Sequence, residues 1–251
     1  MSDVETARVC RVLKCDALGR IEELALASGS ERAVRRVACG GRIPGSALVA
    51  RVLLARERRA LRAIAGMPGV PALHALDASA SARELVRTWI VGVGLHEADA
   101  LPADFFDHLD VLVAALHARG VCHNDLHKEQ NILVDPRGFP WLVDFQLASV
   151  HKTHTRLFAS RVRDDLRHVE KHRRRYARAG GPRIELPAEA RGRGHGIRRS
   201  WTAWIWRRSV KPLYIALTRG VLRTRDGEAR RATSGPWPRR TEALGRPDWR
   251  A

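Results

Sequence analysis

Residues 120–147 read Gly-Val-Cys-His-Asn-Asp-Leu-His-Lys-Glu-Gln-Asn-Ile-Leu-Val-Asp-Pro-Arg-Gly-Phe-Pro-Trp-Leu-Val-Asp-Phe-Gln-Leu. Two short apolar runs, Ile132 to Val134 and Trp141 to Val143, flank Asp135-Pro136-Arg137-Gly138. Proline is pre-set for the second position of a type I turn and glycine suits the fourth, so the runs are expected to pair as a hairpin. Pairing brings Asn131, which precedes the first strand, next to Asp144, which follows the second. Asp125 lies just upstream in His123-Asn124-Asp125-Leu126.

An acid, an amide and a second acid in this order suit transfer of a γ-phosphoryl group from a nucleotide. That chemistry is mostly positioning and charge neutralisation, needing a carboxylate at the accepting hydroxyl and oxygen ligands for magnesium. The plain alternative is a His-Asp pair satisfied within a loop and an aspartate that ends a strand. Lys128, three residues after Asp125, either neutralises a transferring phosphate or faces solvent. His123 is expected to brace the loop by hydrogen bonding, while His108 and His117 are expected to be solvated.

The pattern His123-x-Asp125-Leu126, Asn131 and Asp144-Phe145-Gln146 resembles the catalytic loop and metal-binding motif of the protein-kinase-like fold. It is most similar to small bacterial kinases grouped with the RIO-type kinases and with the lipopolysaccharide core (Kdo and heptose) kinases. Two departures are visible: the asparagine follows the aspartate by six residues instead of five, and Gln146 replaces the glycine of Asp-Phe-Gly. A surface loop absorbs the extra residue. The glycine's loss removes the residue best suited to positive φ.

The resemblance implies an α+β, two-lobed protein-kinase-like fold with a reduced C-terminal lobe. It implies ATP and Mg2+ or Mn2+ as cofactors, Asp125 as the catalytic carboxylate that orients or deprotonates the acceptor hydroxyl, and Asn131 with Asp144 as metal ligands. It also implies a third-strand cation for the α- and β-phosphates, paired with a glutamate from the following helix. Only five of the 45 basic residues are lysines, and none lies in the third strand. Arg35 or Arg36 takes the place, on opposite faces by strand alternation. Arg35 is the preferred candidate and a surface arginine the alternative. Lys14, on the first strand, is a second candidate.

Residues 1–90 read as a strand-rich lobe with one helix. Val9–Lys14, Arg20–Ala27 and Arg32–Val37 have β-compatible content between turn residues. Gly19 is the remnant of a nucleotide-covering glycine turn or simply a hairpin residue. Leu54, Leu61 and Ile64 mark a helix over residues 48–65, with Glu57 on the same stripe. A lone inward acid wants a cation, so Glu57 pairs either with Arg35, as the resemblance implies, or with an arginine of its own helix. A strand from Leu85 to Ile90 follows, then Val91-Gly92-Val93-Gly94 as a flexible hinge.

Residues 91–180 are expected to form the helical lobe. Asp104 is the N-cap of a helix through Arg119, with Phe106, Leu109, Val113 and Leu116 on one stripe and Gly120 as its stop. No Ala-Pro-Glu follows Gln146, and Arg156–Arg178 reads as a basic helix, so a peptide-docking platform is not expected.

Net charge is +18, and all of the excess lies late: residues 1–150 balance 18 basic against 18 acidic, whereas 151–251 hold 27 against 9. Residues 181–251 form a basic, Trp/Arg-rich extension that begins as a Gly/Pro/Arg linker to about Gly196, with poor order expected from about Ala229. Within it, residues 198–214 interleave three tryptophans with five cations. That pattern suits packing on the catalytic lobe, a membrane interface, or a single-stranded nucleic acid. No recognised nucleic-acid module accompanies it, so nucleic acid is not an expected partner. Cys10, Cys15, Cys39 and Cys122 match no zinc spacing and are expected to be reduced and mostly buried. Apolar content of 45% supports a real core. The polar Met1-Ser2-Asp3-Val4-Glu5 and the lack of a long apolar run make the cytoplasm the expected location, with peripheral contact at the inner membrane. The expected partners are ATP and a glycolipid or protein acceptor, giving an ATP-dependent kinase, or alternatively a pseudokinase scaffold.

Overall fold

The computed structural model describes residues 7–16, 18–26, 31–39, 45–78 and 80–178. The linker, the Trp/Arg segment 198–214 and its membrane contact, the tail from Ala229 and the extreme N-terminus all lie outside the described residues. Among those described, no helix is long and apolar enough to cross a membrane.

Strands β1 (Arg8–Asp16), β2 (Gly19–Ala25), β3 (Arg32–Ala38) and β4 (Glu84–Thr88) form one antiparallel sheet in the order β1-β2-β3-β4. Helix α1 (Ser46–Ala63) packs against β3 and β4. Its buried stripe is Ser46, Ala50, Leu54, Glu57 and Leu61, continued by Ile64, each three or four residues from the last. Glu57 therefore lies on the apolar face, as its spacing requires.

The remaining elements build a second group. β5 (Val93–Gly94), β7 (Ile132–Val134) and β8 (Pro140–Leu142) form a three-stranded sheet, and β6 (Val121–Cys122) pairs with β9 (Ser149–Val150). Helices α2 (Phe105–Ala118) and α3 (Arg156–Arg178) pack on one another. A single apolar cluster runs from Leu54, Leu61 and Ile64 of α1 through Phe105, Phe106, Leu109 and Leu116 of α2 to Val169 and Tyr176 of α3. Phe105 and Phe106 meet edge to face, with centroids 5.3 Å apart. The Tyr176 hydroxyl, buried deep in the cluster, donates to the Leu95 carbonyl at 2.9 Å.

The hairpin forms as expected, Ile132 opposite Leu142 and Val134 opposite Pro140. Asp135 organises the turn. Its carbonyl accepts from Gly138 N–H at 2.9 Å, and its Oδ1 accepts from the Arg137 and Phe139 amides at 2.8 Å each.

Several local expectations are corrected. Asp104 occupies the N-cap of α2 but makes no capping hydrogen bond, its carboxylate lying instead 3.8 Å from His108 Nδ1. Gly92 was read for flexibility, yet a Cβ there would stand 2.7 Å from the Val134 carbonyl, so close backbone packing requires it. Cys10 and Cys15 are exposed because β1 is an edge strand, exposed along its length, and Cys39 is half-buried. Cys122 alone is buried, and burial followed by the nearby Asp165 charge pushes its thiol up to about 12. His117 is buried, not solvated.

Gly120 ends α2 at φ +71, and a Cβ there would lie 2.3 Å from the His151 carbonyl. Its own carbonyl accepts from His151 N–H at 2.8 Å, so neither side has room to give. Gly120→Ala is expected to destabilise the fold by more than about 1 kcal/mol, read as a lowered urea midpoint. An unchanged midpoint would contradict this packing.

Candidate active site

The loop from His123 to Asn131 is set by its backbone. Asn124 adopts φ +64, a left-handed conformation that asparagine tolerates better than most residues. Its side-chain amide donates to the carbonyls of Cys122 (3.2 Å) and Leu147 (2.8 Å) and to Ser149 Oγ (3.1 Å). The loop ends in a 3-10 turn over Glu129–Asn131. Within the loop, buried Asn131 donates from Nδ2 to the Asp125 carbonyl (3.1 Å) and to Asp125 Oδ2 (3.0 Å).

Asp125 is itself buried, with a lysine and a histidine beside it. Lys128 Nζ lies 3.4 Å from Oδ2 and His127 Nδ1 lies 3.0 Å from Oδ1. The imidazole approaches outside hydrogen-bond geometry, so Oδ1 is a buried oxygen with no donor among the described residues. It is an acceptor held ready beside the loop surface. His127 escaped sequence reasoning; its signal was its place two residues after the aspartate.

Across the hairpin, Val143 N–H donates to the Asn131 carbonyl at 3.0 Å, which fixes Asp144 beside the loop. Asp144 has φ +66, so the left-handed conformation falls on the aspartate itself, not on Gln146. Gln146 Nε2 donates to Asp144 Oδ1 at 2.7 Å, and Arg36 Nη1 lies 3.4 Å from the same oxygen. Burial works against ionisation of Asp144 but is outweighed by Arg36, by the Gln146 hydrogen bond and by Lys128 and His123. Its pKa is lowered below the ordinary carboxylate range.

Glu57 was expected to pair with Arg35; it pairs with Arg36. Arg36 Nη1 donates to Glu57 Oε2 at 2.5 Å, and Arg87 Nε stands 3.7 Å from the other oxygen. Burial penalises the Arg36 cation, yet Glu57 and Asp144 together raise its pKa. Arg35 sits directly opposite Glu22 in the β2–β3 register and bonds it at 2.7 Å on the other face. Strand alternation separated the two arginines correctly, but composition could not say which face α1 covers. Lys14 pairs with Asp16 (3.4 Å) on the exposed edge strand, and among the described residues no ion pair joins it to the Arg36 cluster. Gly19 closes the β1–β2 turn, where a Cβ would meet the Val37 carbonyl at 2.1 Å, which accounts for the glycine by packing alone.

The second residue that sequence reasoning missed is Asp165 of α3. Its Oδ2 accepts from the His123 amide (2.8 Å) and faces His117 Nε2 (3.1 Å), and its Oδ1 accepts from the Asn124 amide (2.9 Å). With His123 Nε2 at 3.0 Å from the Val143 carbonyl, this carboxylate anchors the start of the loop to the core. The signal was an acid pair, Asp164-Asp165, within an otherwise basic helix. His117, Cys122 and Asp165 offer ligand atoms within 4.8 Å of one another. Both Asp165 oxygens are already taken by N–H groups, which suits bracing better than a metal. Asp165→Asn is expected to cost about 2 kcal/mol, because it turns an amide donor toward donors. Urea unfolding measures it, and a loss under about 0.5 kcal/mol would contradict the bracing role.

A cavity of about 250 Å3 lies at the turn end of the hairpin, lined by Trp89, Ile90, Val91, Asp135, Pro136, Arg137 and Trp141. Asn131 and Asp144 are at the hairpin's other end, about 10 Å away along a three-residue strand.

No protein-family model matches the chain, and no curated protein matches it. Among solved structures it superposes on the Rio2 kinase from Chaetomium thermophilum with a TM-score of 0.51 and 18% sequence identity, covering 76% of this chain and 69% of that one. The chain has a protein-kinase-like fold. Within that fold, the Asp125 loop, the β7–β8 hairpin and the Arg36–Glu57 pair are brought to one place by three separate parts of the sequence.

Proposed function

We propose that this protein is an ATP-dependent phosphotransferase acting on a hydroxyl acceptor. The observation that carries the reading is the convergence of Asp125, Asn131 and Asp144 with the Arg36–Glu57 pair. In this reading residues 1–90 and 91–180 are two lobes, the second reduced, with the nucleotide held between them. The base would lie by the Trp89–Val91 linker, whose aromatic cavity offers stacking surface. The phosphates would extend along the hairpin toward Arg36 and Asp144.

The donor set fits a hard divalent cation. Asp144 is held ionised, and Asn131 spends its side-chain N–H on Asp125, leaving its side-chain Oδ1 as the ligand atom. Magnesium or manganese bound by Asn131 and Asp144 would neutralise charge on the β- and γ-phosphates. Asp125 orients the acceptor hydroxyl and takes its proton on the unpaired oxygen as the hydroxyl attacks. Lys128 and Arg36 offset the negative charge that gathers on the transferring group. Gly19 and Lys14 remain candidates for contacts above the phosphates, and Arg35 is replaced in that role by Arg36.

The acceptor is a sugar of an envelope glycolipid or a protein serine or threonine. The Trp/Arg segment 198–214, whose indoles and cations suit an anionic interface, would favour the first and a place at the inner face of the membrane. A pseudokinase scaffold is disfavoured by the complete acid-amide-acid set and by an arginine already paired with Glu57. Incubation with γ-labelled ATP and magnesium tests the reading. Label transferred to an acceptor, to the chain or to water is the expected result, and intact ATP after saturating incubation would favour the scaffold.

A further inference from the structure

Beside Asp125 stands a group of nitrogen donors that the phosphoryl-transfer reading does not use. The His127 ring, 3.0 Å from Asp125 through Nδ1, lies with its centroid 5.8 Å from that of His168. Arg167 Nη2 is 3.3 Å from His168 Nε2. Arginine only donates, so Nε2 accepts in that contact and the proton of the neutral ring sits on Nδ1. This Nδ1–H is buried and meets no acceptor among the described residues, and neither does the buried Arg167 Nε–H. Folded proteins leave few such donors unsatisfied, because each costs its lost hydration.

Negative charge is also short there. The His168 pKa is lowered to about 4, first by burial and then by Arg167, His127 and His172, with only Asp165 opposing. Of the cluster Asp125 faces His127 alone, and the other nearby acids are committed elsewhere. Asp165 accepts the loop amides, Asp164 lies 3.6 Å from Arg167, and Glu129 is bonded by Arg175 at 2.9 Å and faces His172 at 3.4 Å. His127 and Arg167 are partly open to solvent, so a ligand reaches them.

We propose that His127, Arg167 and His168 form an anion subsite for the acceptor, which carries a phosphate or carboxylate within the span of one sugar ring of the hydroxyl that Asp125 addresses. The proposal rests on the kinase reading and narrows its substrate to anionic hydroxyl compounds. The anion supplies what the cluster lacks, acceptors for two buried donors and charge opposite the Arg167 guanidinium. Its fixed distance from Asp125 also selects which hydroxyl is presented, since a neutral acceptor gains nothing from these residues.

The test is an NMR titration of the full chain, its nucleotide site filled with a non-hydrolysable ATP analogue and magnesium, following the ring C–H resonance of His127. Glycerol 3-phosphate and glycerate are the charged probes, and glycerol is the neutral control. One or both charged probes are expected to move the resonance saturably, identifying phosphate or carboxylate, while glycerol does not. Arg167→Gln combined with His168→Gln is expected to weaken the charged probe at least about tenfold. Movement that never saturates, or equal binding by the double variant, means an adventitious ion only and overturns the proposal. His127→Gln, at a half-exposed position, is a second variant that leaves the core intact, read through His168. Analogue affinity is measured on the same samples. Its absence contradicts the kinase reading, whereas absent probe binding beside intact analogue binding contradicts the subsite alone.

Discussion

Asp125→Ala is expected to lower turnover by roughly 10²- to 10⁴-fold while nucleotide affinity changes little, the range usual for losing a positioned acid or base. The expectation follows from how Asp125 is held. Asn131 fixes one oxygen and the main-chain carbonyl, and the other oxygen is buried without a donor, so the side chain is oriented in advance for one more hydrogen bond. Asp125→Asn keeps the shape but offers no base, and it should lose nearly as much. Steady-state turnover of ATP, measured with calorimetric affinity for the nucleotide, separates the two effects. Unchanged turnover in the alanine variant would remove Asp125 from the mechanism. A parallel loss of affinity would instead mean that it organises the metal ligands.

Arg36→Met and Arg35→Met are expected to behave very differently although the residues are adjacent. Removing Arg36 leaves Glu57, almost wholly buried, facing only Arg87 at 3.7 Å. Breaking one side of a buried pair costs about 3–5 kcal/mol, and the surviving arginine argues for the lower end, about 3 kcal/mol. It also takes the cation away from Asp144, so metal-nucleotide affinity should fall in the same variant. Removing Arg35 leaves Glu22 still bonded by Arg20 at 2.6 Å, and the loss should stay under about 1 kcal/mol. Urea midpoints of the two variants decide it. Equal losses would mean that the two faces of β3 are energetically equivalent and that the buried pair has no special role.

The parts of the fold carried by local chemistry were legible in the sequence. Helix α3 follows from a long basic run without a breaker, the β7–β8 hairpin from its proline and glycine, and α1 from the 3–4 spacing of Leu54, Glu57 and Leu61. So was the convergence of Asp125, Asn131 and Asp144, because their order along the chain reflects a loop and a hairpin that are themselves local. What failed was non-local. Choosing between Arg35 and Arg36 requires knowing which side of β3 receives α1, and the alternation of side chains supplies two answers without ranking them. Asp165 looked like one acid among arginines because its partners, His117 and the amides of His123 and Asn124, lie more than 40 residues away. The cysteines of β1 looked like core residues by type, and only the strand's place at the sheet edge exposes them. His127 was passed over because its neighbours in space, Asp125 and His168, give it meaning that its own position does not.

The central claim is that Asp144 and Asn131 hold a metal-nucleotide complex against Arg36. Calorimetric titration of ATP into the wild-type chain and Asp144→Asn, each with and without magnesium or manganese, addresses it most directly. The account predicts metal-dependent binding by the wild type that the substitution abolishes, with both proteins equally folded. Binding of equal strength in the two proteins, or no binding by the wild type under any condition, would contradict it.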